Sequence, residues 1–214
     1  MNYKAVIFDL DGVIVCTDEC HYQGWKKMAD DEGIYFDRHI NERLRGVSRM
    51  ESLNIVLERA EKTYSQEEKV ALATRKNEYY KEFIKKLTPA DVLEGVMEFC
   101  DDLKAKGVKI AIGSSSKNTP GILNYIGLSD YFDAVADGNS IKNSKPDPEV
   151  FLLAAEKLGI DPKDCLVVED ADAGVEAALA GGMRVLGVGG AARNPNATFA
   201  AESLAATDFE MILK

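Results

Sequence analysis

The stretch "KAVIFDLDGV", residues 4–13, sets two carboxylates, Asp9 and Asp11, directly behind an apolar run. The consecutive apolar residues Ala5 to Phe8 read as a strand covered on both faces, since a half-exposed strand would alternate. Charge at the end of such a strand is unfavourable unless a cation or a reaction compensates for it. A positive group is therefore expected close by.

Further apolar runs follow the same form: "VKIAIGSSS" (108–116), "DAVAD" (133–137), "CLVVED" (165–170) and "RVLGVGG" (184–190), separated by helix-like intervals. Continuous apolarity alternating with helices is the pattern of a parallel sheet in a Rossmann-like α/β domain. Gly107, Gly127, Gly159 and Gly181 stand where left-handed helix ends are expected, and Pro120 and Pro148 fall near helix starts. The stretch "GGAARNPNATFAAES" (189–203) reads as a surface loop.

Between Thr17 and Leu87 no comparable strand is predicted, and the segment is helical and highly charged. Ser48 to Glu51 and Ser65 to Glu68 have the form of capping boxes ahead of amphipathic sequence. Some seventy residues exceed an ordinary crossover. The expected organisation is an α/β core from residues 1–16 and 88–214, with an all-α helical-bundle cap inserted as residues 17–87.

With 46% hydrophobic and 29% charged residues, the composition is that of an ordinary soluble chain. A formal charge of −10 argues against nucleic-acid and anionic-membrane surfaces, which bind through clustered Lys and Arg. No signal peptide or transmembrane run is expected. Cys16, Cys20, Cys100 and Cys165 form no C-x-x-C pair, and read as reduced thiols of a cytoplasmic protein.

In an open parallel sheet, ligands gather at the carboxyl ends of the strands. Here those ends carry Asp9 and Asp11, then Ser114, Ser115 and Ser116, then Glu169 and Asp170, with Lys145 following the strand that contains Val135. Converging carboxylates without a His or Cys cluster suit a hard cation, and Mg²⁺ is the expected cofactor. Such an ion and the Lys145 ammonium would screen an incoming phosphate, so that Asp9 could attack phosphorus while Asp11 acts as general acid and base. Gly12 would let the backbone turn sharply between the two. Each residue alone has a bland reading, as a turn, an N-cap or a solvated lysine; it is their recurrence at successive strand ends that points to a site.

"DLDGV", "SSSKN", "SKPDP" and "VVEDADAG" together resemble the four motifs of the haloacid dehalogenase superfamily, in order and spacing. Within it, "HYQGWKKMADDEGI", "LRGVSRMESL" and "TRKNEYYKEFIKKLTPADVLEG" are similar to the β-phosphoglucomutase family, covering about residues 1–188. That resemblance implies a capped Rossmann-like core, Mg²⁺, and interconversion of β-glucose 1-phosphate and glucose 6-phosphate through a bisphosphate. It implies Asp9 as nucleophile, Asp11 as acid and base, and Ser114 and Lys145 on the reacting phosphate. The metal would be held by Asp9, the Asp11 carbonyl and Asp170, with Glu169 bound to it directly or through water. Arg49, with Ser116, Lys117 and Asn118, would hold the phosphate at the other end of the sugar, and Ser115 would be a further substrate-binding residue. His21, Trp25, Gly46, Val47, Ser52 and Lys76 would line the cap side, although Trp25 by itself reads as core and Arg49 as a surface cation.

The implied partner is a small phosphorylated sugar, bound by a monomer. A phosphatase of the same superfamily, passing the phosphoryl group to water, is the nearest rival, since the core motifs serve both. A signalling receiver domain shares the acidic pocket and the lysine but lacks an insertion after the first strand. Three positions depart from the family pattern: Cys16 stands where Asp is usual, Arg45 where Lys is common, and Ala171 where Ser is frequent.

Overall fold

Among the described residues, six parallel strands form one sheet, in the order β3-β2-β1-β4-β5-β6. In chain order they are β1 (Ala5–Phe8), β2 (Lys109–Gly113), β3 (Ala134–Ala136), β4 (Cys165–Glu169), β5 (Arg184–Gly187) and β6 (Phe199–Ala200). The computed structural model describes residues 3–44 and 48–207, together with Ile212. Arg45, Gly46 and Val47 lie outside the described residues.

The chain divides into two compact units, one of Met1–Cys16 with Thr88–Lys214, the other Thr17–Leu87. The first holds the sheet and the helices α5 (Val96–Ala105), α6 (Thr119–Tyr125), α7 (Glu149–Leu158) and α8 (Asp172–Ala180). The second holds α1 (Asp18–Asp31), α2 (Arg38–Glu42), α3 (Arg49–Leu57) and α4 (Gln66–Ile84).

All four residues of β1 are buried, because helices cover both faces of the sheet. Ala5 and Ile7 join a cluster with Phe151 and Ala154 of α7 and Val175 of α8. On the opposite face the Phe8 ring meets the Phe99 ring of α5 edge-on, 5.8 Å between centroids. The continuous apolar runs thus have their physical reason in two covered faces.

In the helical unit, Trp25, Met28, Phe36, Leu53 and Leu72 pack into a separate core. Both serine-led boxes close: Ser48 and Ser65 each cap the backbone three residues on, and Glu51 and Glu68 return the bond.

Two expectations change. Residues 189–203 are not simply a loop, since they contain a 3₁₀ turn, Gly189–Arg193, and then β6. A two-residue strand has no periodicity to announce it; its register is set by β5, through Leu186 beside Phe199 and Gly187 beside Ala200. At the end of α8 the left-handed residue is Gly182 (φ 74°), whereas Gly181 stays right-handed (φ −78°).

Candidate active site

β1 lies between β2 and β4, so the sheet order reverses there, and the register sets Phe8 beside Ile112 on one side and Val168 on the other. Asp9, one residue on, therefore emerges at the switch point where an open sheet leaves a crevice. Its amide donates to the Val168 carbonyl at 2.9 Å, continuing the ladder and fixing the direction of the side chain.

The Lys145 ammonium donates to Asp9 Oδ1 at 2.6 Å and to Glu169 Oε1 at 2.7 Å, which brings the third motif onto the first and fourth. All three side chains are nearly removed from solvent, with 11%, 11% and 2% of the Lys145, Asp9 and Glu169 side chains exposed. The Phe151 ring lies 4.5 Å from the ammonium and closes its apolar side. Burial alone would depress the Lys145 value, but the two carboxylates outweigh it and raise it, so the ammonium keeps its proton.

Asp9, Glu169 and Asp170 each offer a carboxylate oxygen within 4.8 Å of the others. Burial raises the Asp9 and Asp170 values; Glu169 and Asp11 add to the rise at both, and Asp9 adds to it at Asp170, while Lys145 offsets only part of it. One ammonium among four carboxylates leaves a site that a hard cation would neutralise, and the all-oxygen donor set fits one.

Gly12 adopts φ 78°, open to glycine, and a β-carbon there would stand 2.1 Å from Asp170 Oδ2. The turn from Leu10 to Val15, closed by Gly12 N–H to Val15 O and Val15 N–H to Leu10 O, thus lays its backbone directly against the acidic cluster. Asp11 sits on that turn, half-buried.

Ser114 is 3% exposed at the end of β2, with its amide bonded to the Ala136 carbonyl at 3.1 Å. The hydroxyl of Ser114 accepts from Ser116 N–H, and that of Ser116 from Asn118 N–H, both at 3.2 Å, so residues 114–118 form a tight turn. Ser115 Oγ accepts from Lys145 N–H at 3.4 Å, while the Lys117 side chain faces solvent.

The helical unit gathers a second set. Lys76 is 2% exposed, and its ammonium donates to His21 Nδ1 at 2.8 Å. The ammonium also stands 4.8 Å from the centroids of both Trp25 and Tyr80. Burial, then the Lys76 and Arg49 charges, hold His21 well below its ordinary value, so the ring is neutral and can accept that bond. Trp25 is also part of the apolar core of this unit, as its helix position suggests. Ser52 is buried on α3, and Arg49 donates to Asn77 Oδ1 at 2.9 Å.

Sequence reasoning passed over two glycines at this site. A β-carbon at Gly174 would stand 1.7 Å from Glu169 Oε1, so the start of α8 is left bare to receive that carboxylate, whose other oxygen accepts from Ala171 N–H at 2.8 Å. Thus the backbone of Ala171 bonds Glu169, although Ser is frequent at this position. Gly138 packs against the turn after β2 in the same manner. Its signal was the turn-forming "DGN" directly after the third apolar run.

The family model described as haloacid dehalogenase-like hydrolase matches residues 3–182. A β-phosphoglucomutase of Bacillus subtilis (strain 168) is 47% identical over 188 residues, 87% of this chain and 83% of that protein. A phosphorylated carbohydrates phosphatase of Thermotoga maritima is 34% identical over 189 residues, 86% of this chain and 85% of its own. The crystal structure of β-phosphoglucomutase from Clostridium difficile superposes with a TM-score of 0.88 at 43% identity, covering 99% of this chain and 96% of that one. With the four motifs at the carboxyl ends of the strands, the chain belongs to the haloacid dehalogenase-like hydrolase family, in its β-phosphoglucomutase group.

Proposed function

We propose that this chain interconverts β-D-glucose 1-phosphate and D-glucose 6-phosphate through a phospho-aspartyl enzyme and β-glucose 1,6-bisphosphate. The observation that carries the reading is the 47% identity to a β-phosphoglucomutase over 87% of the chain, which includes most of the helical unit as well as the catalytic core.

Asp9 is the nucleophile. As its carboxylate oxygen bonds to phosphorus, the bond from phosphorus to the sugar oxygen breaks, and that oxygen takes a proton from the Asp11 carboxyl. In the return step the Asp11 carboxylate removes the proton from the other sugar hydroxyl. That oxygen bonds to phosphorus, and Asp9 is released. Lys145 and Ser114 hold the equatorial phosphate oxygens, and the ammonium, already desolvated beside Asp9, needs little reorganisation to do so. Asp9, the Asp11 carbonyl, Asp170 and Glu169 would hold a Mg²⁺ ion, which would supply neutralising charge to the phosphate.

In the helical unit Arg49 offers a planar fork for a phosphate, and in the core unit Ser116, Lys117 and Asn118 offer donors for the non-reacting one. His21, Trp25, Ser52 and Lys76 of the helical unit, and Ser115 of the core unit, are further binding residues for a small sugar. The enzyme is a monomer of the cytosol, where charged sugar phosphates are retained by the membrane; no described helix is long and apolar enough to cross one.

The 34% identity to a phosphorylated carbohydrates phosphatase favours one second reading, in which water accepts the phosphoryl group from Asp9. A phosphorus NMR time course separates the two. With β-glucose 1-phosphate, Mg²⁺ and a trace of β-glucose 1,6-bisphosphate, accumulation of glucose 6-phosphate supports the mutase; free phosphate in its place identifies a phosphatase.

A further inference from the structure

Directly after β3, Asp137, Gly138 and Asn139 grip the Ser114–Asn118 turn from behind. Gly138 N–H donates to the Ser116 carbonyl at 3.1 Å, and the Asn139 side-chain amide donates to the Lys117 carbonyl at 3.0 Å. Asp137 is 7% exposed and fixes Asn139 twice: Oδ2 accepts from the same side-chain amide at 3.0 Å, and Oδ1 from the Asn139 backbone N–H at 3.0 Å. A β-carbon on Gly138 would stand 2.3 Å from the Ser115 carbonyl oxygen and 2.9 Å from Lys117 N, both backbone atoms that cannot swing aside. The hydroxyl of Thr119 takes the Ser116 carbonyl from the other side at 2.9 Å.

Carbonyl oxygens repel a phosphate, and here two successive ones are occupied by donors from the loop after β3. We infer that Asn139 and Gly138 are positioning residues for the non-reacting phosphate: they turn the Ser116 and Lys117 carbonyls away from it and hold residues 115–118 in one conformation. The inference rests on the proposed function, in which that turn binds the distal phosphate. Neither residue touches the reacting atoms. Asn139 is itself exposed, so its contribution is its bond rather than its burial. A turn held in one conformation loses little entropy on binding, which is how such a residue raises affinity without touching substrate.

The test uses the full chain with Mg²⁺. Asn139→Leu keeps the side chain's length and branching, adds no charge and removes the donating amide, and Gly138→Ala introduces the steric clash. For Asn139→Leu, the KM for β-glucose 1,6-bisphosphate is expected to rise about five- to tenfold, the worth of one well-placed hydrogen bond, with kcat changed by less than about twofold. Phosphorylation of Asp9 by acetyl phosphate, which has no distal phosphate, is expected to stay at the wild-type rate. Gly138→Ala should raise the same KM further. Unchanged KM in both variants overturns the inference; so does an equal loss with bisphosphate and acetyl phosphate, or recovery of full affinity on cooling, which marks a merely structural role. Failure of the wild-type enzyme to form glucose 6-phosphate in the same assay defeats the proposed function itself.

Discussion

Lys145 Nζ lies 2.6 Å from Asp9 Oδ1, and 136 residues separate the two along the chain. The pair is nearly dry, so each charge depends on the other for its ionisation. Removing one partner of such a pair leaves the other uncompensated. Lys145→Met is expected to cost about 3 kcal/mol of stability in urea unfolding at neutral pH. It should also slow formation of the acyl phosphate by about 10²-fold or more in rapid-quench experiments.

Asp9→Asn has the opposite balance. It deletes the nucleophile while removing one of several mutually repelling carboxylates, whose repulsion is evident in the raised values of Asp9 and Asp170. The variant should fold with an unfolding midpoint at or above that of the wild type, and form no phosphoprotein detectable by intact-mass spectrometry. Near-normal turnover would refute the assignment of Asp9.

Gly12→Ala places a methyl group on a backbone of φ 78° and within 2.1 Å of Asp170 Oδ2. Strain at the positive φ alone costs about 1–2 kcal/mol, and the displaced carboxylate adds to it. A measurable loss of stability should accompany weaker Mg²⁺ binding in calorimetric titration. Unaltered metal affinity would show that Asp170 is not a ligand.

His21 supplies a pH dependence of folding. The folded ring, held low by burial and by Lys76, binds fewer protons than the unfolded ring, whose value is about 6.5. Its neutral form is therefore favourable above that pH, and stability falls as the pH drops below it, by up to about 1.4 kcal/mol per pH unit. Urea titrations between neutral and mildly acidic pH should show a steeper loss in the wild type than in His21→Gln. Parallel curves would mean that the ring titrates freely in the fold.

Much of the site was legible because one strand end follows another in a regular grammar. The runs at Ala5–Phe8, Lys109–Gly113, Ala134–Ala136, Cys165–Glu169 and Arg184–Gly187 are apolar but for a charged residue at one end of three of them, Lys109, Glu169 and Arg184, and buried strands leave few other residues acceptable. Ser48 and Ser65 were readable as caps because their chemistry is local, closed within three residues. By contrast β6 and the bonds of Gly138 and Asn139 depend on partners in other segments of the chain, β5 and the turn after β2, and no local pattern names those partners.

By itself, then, the order of residues determined the parallel α/β class, the helical insertion and the identity of the acids and the lysine, since periodicity and strand-end chemistry are properties of neighbours in the chain. Only the tertiary structure decided which of those groups meet. Sheet order put β1 between β2 and β4, and thereby turned Asp9, Glu169 and Lys145 into one desolvated cluster. The strength of their mutual charges is set by distance and burial, which come into being only when the strands are side by side.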